Sequence, residues 1–207
     1  MPPGNLAVQF VAMPKGRLEA FADGIFAFAA TLLILNLAVT EGKPLGPELA
    51  RIWISYVAYA ISFVTIGIIW MNHHLVMHQV AHTDRPFLVL NVLFLMLIAF
   101  IPFPTRLLAL YIDSPDGTAA ALAYGITLTV TAILFNALWR YAVHRRRLIR
   151  EDADQRVVSG ISRSFVPGPI IYFVATVVAL FNPIASAVLY GLIAVFYILD
   201  SAVFGRR

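Results

Sequence analysis

Long apolar stretches, separated by short polar or turn-forming segments, dominate the hydrophobic pattern of this chain. A helix needs about 20 mostly apolar residues to cross a bilayer. By this criterion the pattern predicts spanning helices over residues 17–39, 50–80, 86–111 and 117–144. The breaks between them contain prolines, glycines and acidic residues, as in the segments 41–47 and 113–117, which are typical of turns.

The last apolar stretch, residues 164–199, is too long for one crossing. A helix of this length would extend roughly 54 Å, against about 30 Å of hydrocarbon. Asn182 and Pro183 lie near its middle and favour a tight hairpin between helices over 163–181 and 183–204. One kinked, tilted helix is the alternative. We therefore expect an all-α integral membrane protein with six transmembrane helices in a single domain, 1–207.

Composition supports this class. The chain has 60% hydrophobic and only 13% charged residues, whereas soluble domains average about 25% charged residues. There is no cysteine, which excludes disulfides and thiolate metal sites. The sequence shows no nucleophile–base arrangement and no glycine-rich phosphate loop, so we do not expect an enzyme. No cofactor, metal or nucleic-acid partner is indicated, and the lipid bilayer is the expected environment.

Basic residues are unevenly divided between the two predicted sides of the membrane. With six helices, one side holds 12 of the 15 Lys and Arg residues, including Arg206 and Arg207, and the other holds Lys43, Arg51 and Arg106. Because positively charged loops stay in the cytoplasm, both termini are predicted to be cytoplasmic, in a multi-pass protein of the plasma membrane. The long basic loop, 145–163, is interpreted as a connector that lies against anionic headgroups.

The first predicted helix carries an apolar stripe and one intramembrane acid. Phe28, Leu32 and Leu35 are spaced i, i+4 and i+7, so they share one face, which Thr31 flanks. Asp23 points roughly 140° away from Phe28. A carboxylate within the membrane is costly and is usually paired or functional, although an acid near a helix start can also lie among the headgroups. Such a stripe alone is typical of ordinary helix packing.

Four motifs occur together along the chain. They are Arg17-x-x-x-Phe21-x-Asp23 before a Thr-Leu-Leu stretch, Trp70-Met-Asn-His73-His74, Asn91 to Thr105 with Pro102 and Pro104, and Phe181-Asn182-Pro183. The combination resembles the transmembrane-protein-175 family of potassium channels, over essentially the whole chain. One departure is Ala22, which stands where the family usually has serine.

The resemblance implies a homotetramer in which the first helix of each chain lines a central, potassium-selective pore. Carried over by position, the pore constriction or gate is Phe28, Leu32 and Leu35, and Thr31 is the selectivity layer. The family usually has a smaller aliphatic residue where this chain has Phe28. Rings of apolar side chains can close a narrow pore by dewetting. No Thr-Val-Gly-Tyr-Gly filter occurs here, so selectivity cannot use that carbonyl cage.

A polar network is predicted from Arg17, Phe21, Asp23, Trp70 and His74. Counted at about 1.5 Å per residue, Asp23 on the first helix and the Trp70–His74 turn on the second lie at similar depth. The carboxylate can accept hydrogen bonds from indole and imidazole N–H groups. Arg17 either belongs to this network or lines the inner mouth of the pore.

The alternative function is a proton- or ion-coupled secondary transporter that uses Asp23 and the second-helix histidines. His74, His78 and His82 have i, i+4, i+8 spacing, but no carboxylate at fixed spacing completes a metal site, so we interpret them as hydrogen-bonded or interfacial. Histidine titrates near neutral pH, which leaves proton sensing open. Because no inverted repeat and no pair of broken mid-membrane helices is evident, passive potassium conduction is the prediction.

Overall fold

The computed structural model describes residues 14–204, with side chains up to residue 199. The α-helices are α1 (Lys15–Leu32), α2 (Leu45–Arg51), α3 (Trp53–Gln79), α4 (Arg85–Phe100), α5 (Pro102–Tyr111), α6 (Gly117–Val143), α7 (Gln155–Phe165), α8 (Pro167–Val178) and α9 (Pro183–Phe204). Two 3₁₀ segments, Leu33–Asn36 and His144–Arg146, extend α1 and α6. Arg206 and Arg207, which the sequence analysis places on the cytoplasmic side, lie outside the described residues.

Five helical stretches in the described part of the chain are long and apolar enough to cross a membrane. They are Lys15–Asn36, Trp53–Gln79, Arg85–Tyr111, Gly117–Arg146 and Gln155–Val178. A sixth apolar helix, α9, includes Pro183–Leu199 among the residues with described side chains. The prediction of an all-α, multi-span membrane protein is therefore confirmed.

The first span ends earlier than its apolar pattern suggests. The α-helix tightens into 3₁₀ geometry after Leu32 and stops at Asn36, not near Val39. The Asn36 side-chain amide donates to the Pro102 carbonyl at 3.3 Å, which ties this end to α5. Leu37 leaves helical geometry at φ −89° and ψ 66°. A polar anchor, rather than loss of hydrophobicity, ends the helix.

The second and fifth predicted helices also have different bounds. The stretch predicted as 50–80 is divided at Ile52, whose ψ of 19° separates α2 from α3. The stretch predicted to begin at 163 instead begins at Gln155, because the Asp154 carboxylate caps α7 by accepting from the Arg156 N–H at 2.7 Å. It ends at Val178 rather than 181.

Helices α8 and α9 form an antiparallel hairpin. The Ser186 hydroxyl donates to the Ala175 carbonyl at 2.7 Å, and Gly168 lies beside the Tyr197 hydroxyl. At the turn, the Asn182 side chain accepts from the Ala185 N–H at 2.9 Å and caps α9. The alternative of one continuous kinked helix is therefore wrong.

The core is centred on α6, which packs against α4, α5, α8 and α9. Its largest fully buried side chains include Tyr124 and Trp139. Gly125 permits close approach here, because a Cβ at this position would overlap the Tyr190 hydroxyl and the Thr176 side chain. The first span packs on α3 and α4 at the edge of this bundle.

Two loops meet at the end of the bundle where α3 and α6 finish. Val80 and Ile149 form an isolated antiparallel bridge, and the Ala81 N–H donates to the Leu148 carbonyl at 2.8 Å. The predicted cytoplasmic loops therefore lie side by side. Away from these loops, the last residue of the first span, Asn36, lies beside the first residue of α5, Pro102.

Candidate pore-lining face of the first helix

One face of α1 is fully covered by the same subunit. Its residues recur every three to four positions and each is at most 3% exposed: Leu18, Ala22, Phe26, Ala29 and Leu33. The Phe26 ring lies 5.6 Å from the His73 ring on α3 and 6.1 Å from the Phe94 ring on α4, measured between centroids. Small alanines between the large side chains let α1 approach these helices closely.

The opposite side of the first span has no partner in the described chain. We call it the open face, and its exposed residues are Arg17, Phe21, Gly24, Phe28, Thr31 and Leu35. Their alternating steps of four and three residues have the 3.5-residue repeat typical of a seam between helices. Phe28 is 60% exposed and Leu35 is 67% exposed, so both side chains project away from their own subunit.

Leu32 is placed differently from the other predicted constriction residues. It is half-buried at the flank of the open face, while Phe28, Thr31 and Leu35 are exposed along its centre. The 3₁₀ geometry after Leu32 brings residues three apart into line, so Leu32 and Leu35 align along the helix axis.

Thr31 presents oxygen to the open face. Its hydroxyl donates to the Phe28 carbonyl at 2.9 Å, one turn back along α1. Because the hydroxyl proton is engaged within the helix, the remaining lone pairs of Oγ1 are free to act as acceptors. Chemically, such an oxygen can contact a cation.

Asp23 is held to α3 at the flank of the open face. The Trp70 indole N–H donates to the Asp23 carboxylate at 2.8 Å, as expected from their matching depth. His74 does not form the second hydrogen bond to Asp23 that the sequence predicts. It is exposed, lies beside the Trp70 ring at 6.3 Å between centroids, and makes no hydrogen bond to Asp23 among the described residues.

The structure places Arg17 and Phe21 away from this contact. Both are exposed on the open face, and within residues 14–199 the Arg17 side chain makes no hydrogen bond or ion pair to Asp23. Of the five predicted network residues, only Asp23 and Trp70 are hydrogen-bonded to each other. Arg17 is therefore positioned near the start of the open face rather than inside the subunit.

A buried polar pair, which sequence analysis missed, lies behind α1. His73 Nε2 and the Asn91 side-chain oxygen are 2.9 Å apart, and His73 stacks on Phe94. His73 is 2% exposed and Asn91 is 0% exposed. The His-His dipeptide contained the signal, but adjacent helical residues point about 100° apart, and the sequence does not say which one faces inward.

The far end of the first span is fastened by a carboxylate clamp. Glu48, which is 4% exposed, accepts hydrogen bonds from Arg51 at 2.9 and 3.0 Å and from the Thr40 N–H at 3.2 Å. The Arg51 hydrogen bond is the main reason that the pKa of Glu48 falls from 4.5 to about 2. The clamp therefore stabilises the fold fully above about pH 4.5, and this contribution declines as the pH falls below that value and is lost once the pH has passed through about 2.

The second-helix histidines do not assemble a metal centre in the described part of the chain. Among those residues, no group of three His, Cys, Asp or Glu side chains could hold an ion. His74, His78 and His82 are all exposed.

Within the described residues, these features define an all-helical, multi-span membrane protein whose first helix presents an unpartnered and partly polar face. A sequence model of the family described as "Endosomal/lysosomal potassium channel TMEM175" matches residues 17–102. A potassium channel of Chamaesiphon minutus is 39% identical over 191 residues, which cover 90% of this chain and 94% of that protein. The chain belongs to the TMEM175 family.

Structural comparison agrees with this assignment. The crystal structure of a lysosomal potassium-selective channel TMEM175 homolog from Chamaesiphon minutus superposes with a TM-score of 0.82 and 37% identity, covering 90% of this chain and 97% of that one. A more distant relative, the endosomal/lysosomal proton channel TMEM175 of Gallus gallus, is 31% identical over 154 residues. This match covers 68% of the present chain and 31% of the chicken protein.

Proposed function

We propose that this protein is a potassium channel, in which ions move passively through a pore lined by α1. Membership of the TMEM175 family and the potassium-channel relatives support the activity. The observation that carries the proposed location of the pore is the open face of α1. This face combines a seam-like repeat of exposed positions with polar side chains in a spanning helix.

The open face is better suited to other protein chains and water than to lipid. Arg17 and Thr31 are exposed on this face of the span, and Asp23 is exposed at its flank. Charged side chains that face hydrocarbon are costly, whereas a water-filled pore solvates them. One chain supplies one α1, so several copies must meet to close a ring around this face. We assign four, as the family resemblance implies, with α9 as the sixth span of each subunit.

Within this tetramer, Phe28 forms the first apolar ring met from the cytoplasm after Phe21, and Leu32 and Leu35 form the next constrictions. Four phenyl rings offer no hydrogen-bond acceptor to replace a cation's hydration shell, so a closed ring at Phe28 excludes water and ions. Thr31 lies between these layers, and its acceptor oxygens can replace part of that shell. Gate and selectivity layer are therefore assigned to different residues.

The Asp23–Trp70 hydrogen bond has a structural role in this proposal. It joins the flank of α1 to α3 and thereby sets the rotation of α1 about its own axis. Because Phe28, Thr31 and Leu35 lie along the centre of the open face, this rotation determines whether they face the pore.

Proton conduction is the second candidate, because the chicken relative is named a proton channel. A water-filled pore that carries potassium can also carry protons. The coupled-transporter alternative would instead require Asp23 to bind and release its ion, and in this structure Asp23 is engaged by Trp70.

The test is the reversal potential of purified protein in planar bilayers. With potassium on one side and sodium on the other at equal pH, we expect the reversal potential to follow the potassium gradient. Adding a pH gradient should leave it unchanged. A reversal potential that follows the pH gradient instead would favour a proton channel or a proton-coupled carrier.

We further propose that the protein lies in the plasma membrane and that the end of the bundle carrying the basic loops faces the cytoplasm. The paired loops after α3 and α6 lie at this end, together with Arg145, Arg146, Arg147 and Arg150. The charge bias of the sequence supports this orientation.

A further inference from the structure

A pocket of about 340 Å³ lies between the end of α6 and the start of α7. Small-molecule sites typically measure about 300–1,000 Å³, so the space is adequate for a compact ligand. Its polar lining includes Arg146, Arg163, Gln155 and Ser159, and its apolar lining includes Val143 and Val158. We call this the basic pocket.

The basic pocket lies at the level where helices leave the membrane. Arg146 is the last residue of the candidate span Gly117–Arg146, and Gln155 is the first residue of the candidate span Gln155–Val178. The turn that joins these two spans forms one wall of the pocket. A ligand held there would therefore lie among the lipid headgroups.

Two arginines in the pocket lack an acidic partner, whereas Arg147 and Arg150 of the same loop have one. Arg147 contacts Asp84 at 3.0 Å and Arg150 contacts Asp152 at 2.8 Å, so both charges are compensated. The Arg146 guanidinium contacts only neutral oxygens at 3.3–3.4 Å, those of Gln155, Arg150 and Ala153. Within residues 14–199, neither Arg146 nor Arg163 is paired with a carboxylate.

The backbone that presents Arg146 is in an unfavourable conformation. Arg145 and Arg146 have φ values of 53° and 52°, in the left-handed region that side chains with a Cβ rarely adopt. This turn folds the Arg146 side chain back toward the start of α7, where it meets the Ala153 carbonyl. Strain of this kind is often retained where a residue binds something.

The other wall of the pocket is an amphipathic helix. Val158, Ile161 and Phe165 of α7 are buried in the bundle, while Arg156 and Arg163 are exposed. A helix with this division lies naturally in the headgroup layer. Its buried apolar face anchors the backbone of α7 to the bundle, so the exposed Arg163 side chain extends from a fixed helix into the same pocket as Arg146.

We propose that the basic pocket binds the phosphate group of an anionic phospholipid, which Arg146 and Arg163 contact from opposite sides. Guanidinium groups match phosphate oxygens in charge and geometry. The headgroup level and the apolar lining of Val143 and Val158 favour a lipid over a soluble anion, because a lipid supplies apolar atoms directly below its phosphate. This inference does not depend on ion conduction.

The test uses the full-length protein, purified from mixed phosphatidylcholine and phosphatidylglycerol and examined by native mass spectrometry. The readout is the number of phosphatidylglycerol molecules retained per chain. The variants are Arg146→Gln, Arg163→Gln and the double substitution. Arg156→Gln is the matched control, because it removes the same charge from α7 outside the pocket lining.

We expect the wild type and Arg156→Gln to retain phosphatidylglycerol in preference to phosphatidylcholine. Each pocket substitution should weaken this retention about tenfold, as loss of a charge-assisted contact implies. Equal retention by the double variant and Arg156→Gln would overturn the proposal, since binding would then reflect general charge attraction. Should Arg146→Gln disturb the turn, Arg163→Gln still decides, because the Arg163 side chain makes no hydrogen bond or ion pair within residues 14–199.

A competition experiment distinguishes the lipid from free phosphate. Inorganic phosphate is added to the purified wild type at constant ionic strength, with sulfate-free chloride buffer as the reference. We expect phosphatidylglycerol to remain bound. If inorganic phosphate displaces it completely, and stabilises the protein in an Arg163-dependent way, the pocket is a site for a soluble anion and the lipid assignment is wrong.

Discussion

Phe28 and Thr31 lie one helical turn apart on the open face of α1 but offer different chemistry. Phe28 presents an apolar ring that is 60% exposed, whereas Thr31 presents a hydroxyl oxygen whose proton is donated within the helix. In a ring of four subunits, Phe28 would control whether water enters the pore. Thr31 would control which cation is partly dehydrated. The two functions should therefore separate in mutants.

Replacing Phe28 with alanine should open the apolar ring. We expect Phe28→Ala to raise potassium flux into liposomes about tenfold, equivalent to a barrier lower by about 1.4 kcal/mol, with little change in cation preference. Phe173→Ala is the matched control, because Phe173 of α8 is 58% exposed but lies outside the open face. Unchanged flux in Phe28→Ala would place the gate at Leu32 or Leu35.

Replacing Thr31 with alanine should weaken discrimination between potassium and sodium. The substitution removes the acceptor oxygen, while Thr31→Ser retains it. We expect the potassium/sodium permeability ratio, measured from reversal potentials, to fall in Thr31→Ala and to be largely kept in Thr31→Ser. An unaltered ratio in Thr31→Ala would show that selectivity does not depend on this hydroxyl.

Asp23 should act through assembly rather than through ion contact. Asp23→Asn keeps an acceptor for Trp70 but replaces a charge-assisted hydrogen bond with a neutral one, which costs about 1 kcal/mol. We expect a smaller tetramer fraction by size-exclusion chromatography and an unchanged permeability ratio in the tetramers that form. Trp70→Phe removes the donor of the same hydrogen bond and should have the same two effects. Intact tetramers with an altered ratio would contradict this role.

At the scale of elements, the bundle depends on close contact of α6 with the α8–α9 hairpin. Thr129 and Thr176 hydroxyls are 3.3 Å apart across this interface, and Tyr190 donates to Thr176 at 3.4 Å. Gly125 lies beneath these groups, and any larger residue would displace them. This interface therefore stabilises α6. In turn, α6 packs against α4, and α4 packs against α1.

Two glycine substitutions should have opposite effects on stability. Gly125→Ala inserts a methyl group into the Tyr190–Thr176 contact and should cost about 1–3 kcal/mol. Gly67→Ala on α3 meets nothing within 4 Å and should stabilise its helix by about 0.5–1 kcal/mol. Thermal unfolding in detergent measures both. A melting temperature for Gly125→Ala at or above that of Gly67→Ala would refute this account of the interface.

Hydrophobic periodicity located the spans but not the contacts that end them. Residues 37–39 are compatible with a helix, yet the Asn36–Pro102 hydrogen bond, between residues far apart in sequence, ends the first span. Residues 155–163 are too polar to predict as part of a span, but the Asp154 cap and the buried face of α7 make them helical. Such long-range and interfacial effects are not encoded in local hydropathy.

The candidate site was predictable to the extent that helical angles determine it. The spacing of Phe28 and Leu35 placed them on one face, and matching depth paired Asp23 with Trp70. The half-buried position of Leu32 and the inward orientation of His73 depend on how α1 and α3 are rotated against each other. This rotation follows from tertiary packing and cannot be read from one sequence.

The whole molecule should have one fixed orientation in the membrane. The chain has no native cysteine, so single cysteines introduced into loops report their own exposure. We expect Glu151→Cys to react with a membrane-impermeant thiol reagent only from the cytoplasmic side, and Asp116→Cys only from outside. Both residues are exposed in the structure. The reverse labelling pattern would invert the proposed orientation.

The central claim is that the open face of α1 lines the conducting pore, and cysteine block at Leu35 tests it most directly. Leu35 is 67% exposed on this face, and Ile133 of α6 is 50% exposed elsewhere and serves as the control. A bulky, charged methanethiosulfonate reagent is applied during potassium current recording in planar bilayers. We predict that the current through Leu35→Cys is blocked while that through Ile133→Cys persists. Full labelling of Leu35→Cys with undiminished potassium current would contradict the claim.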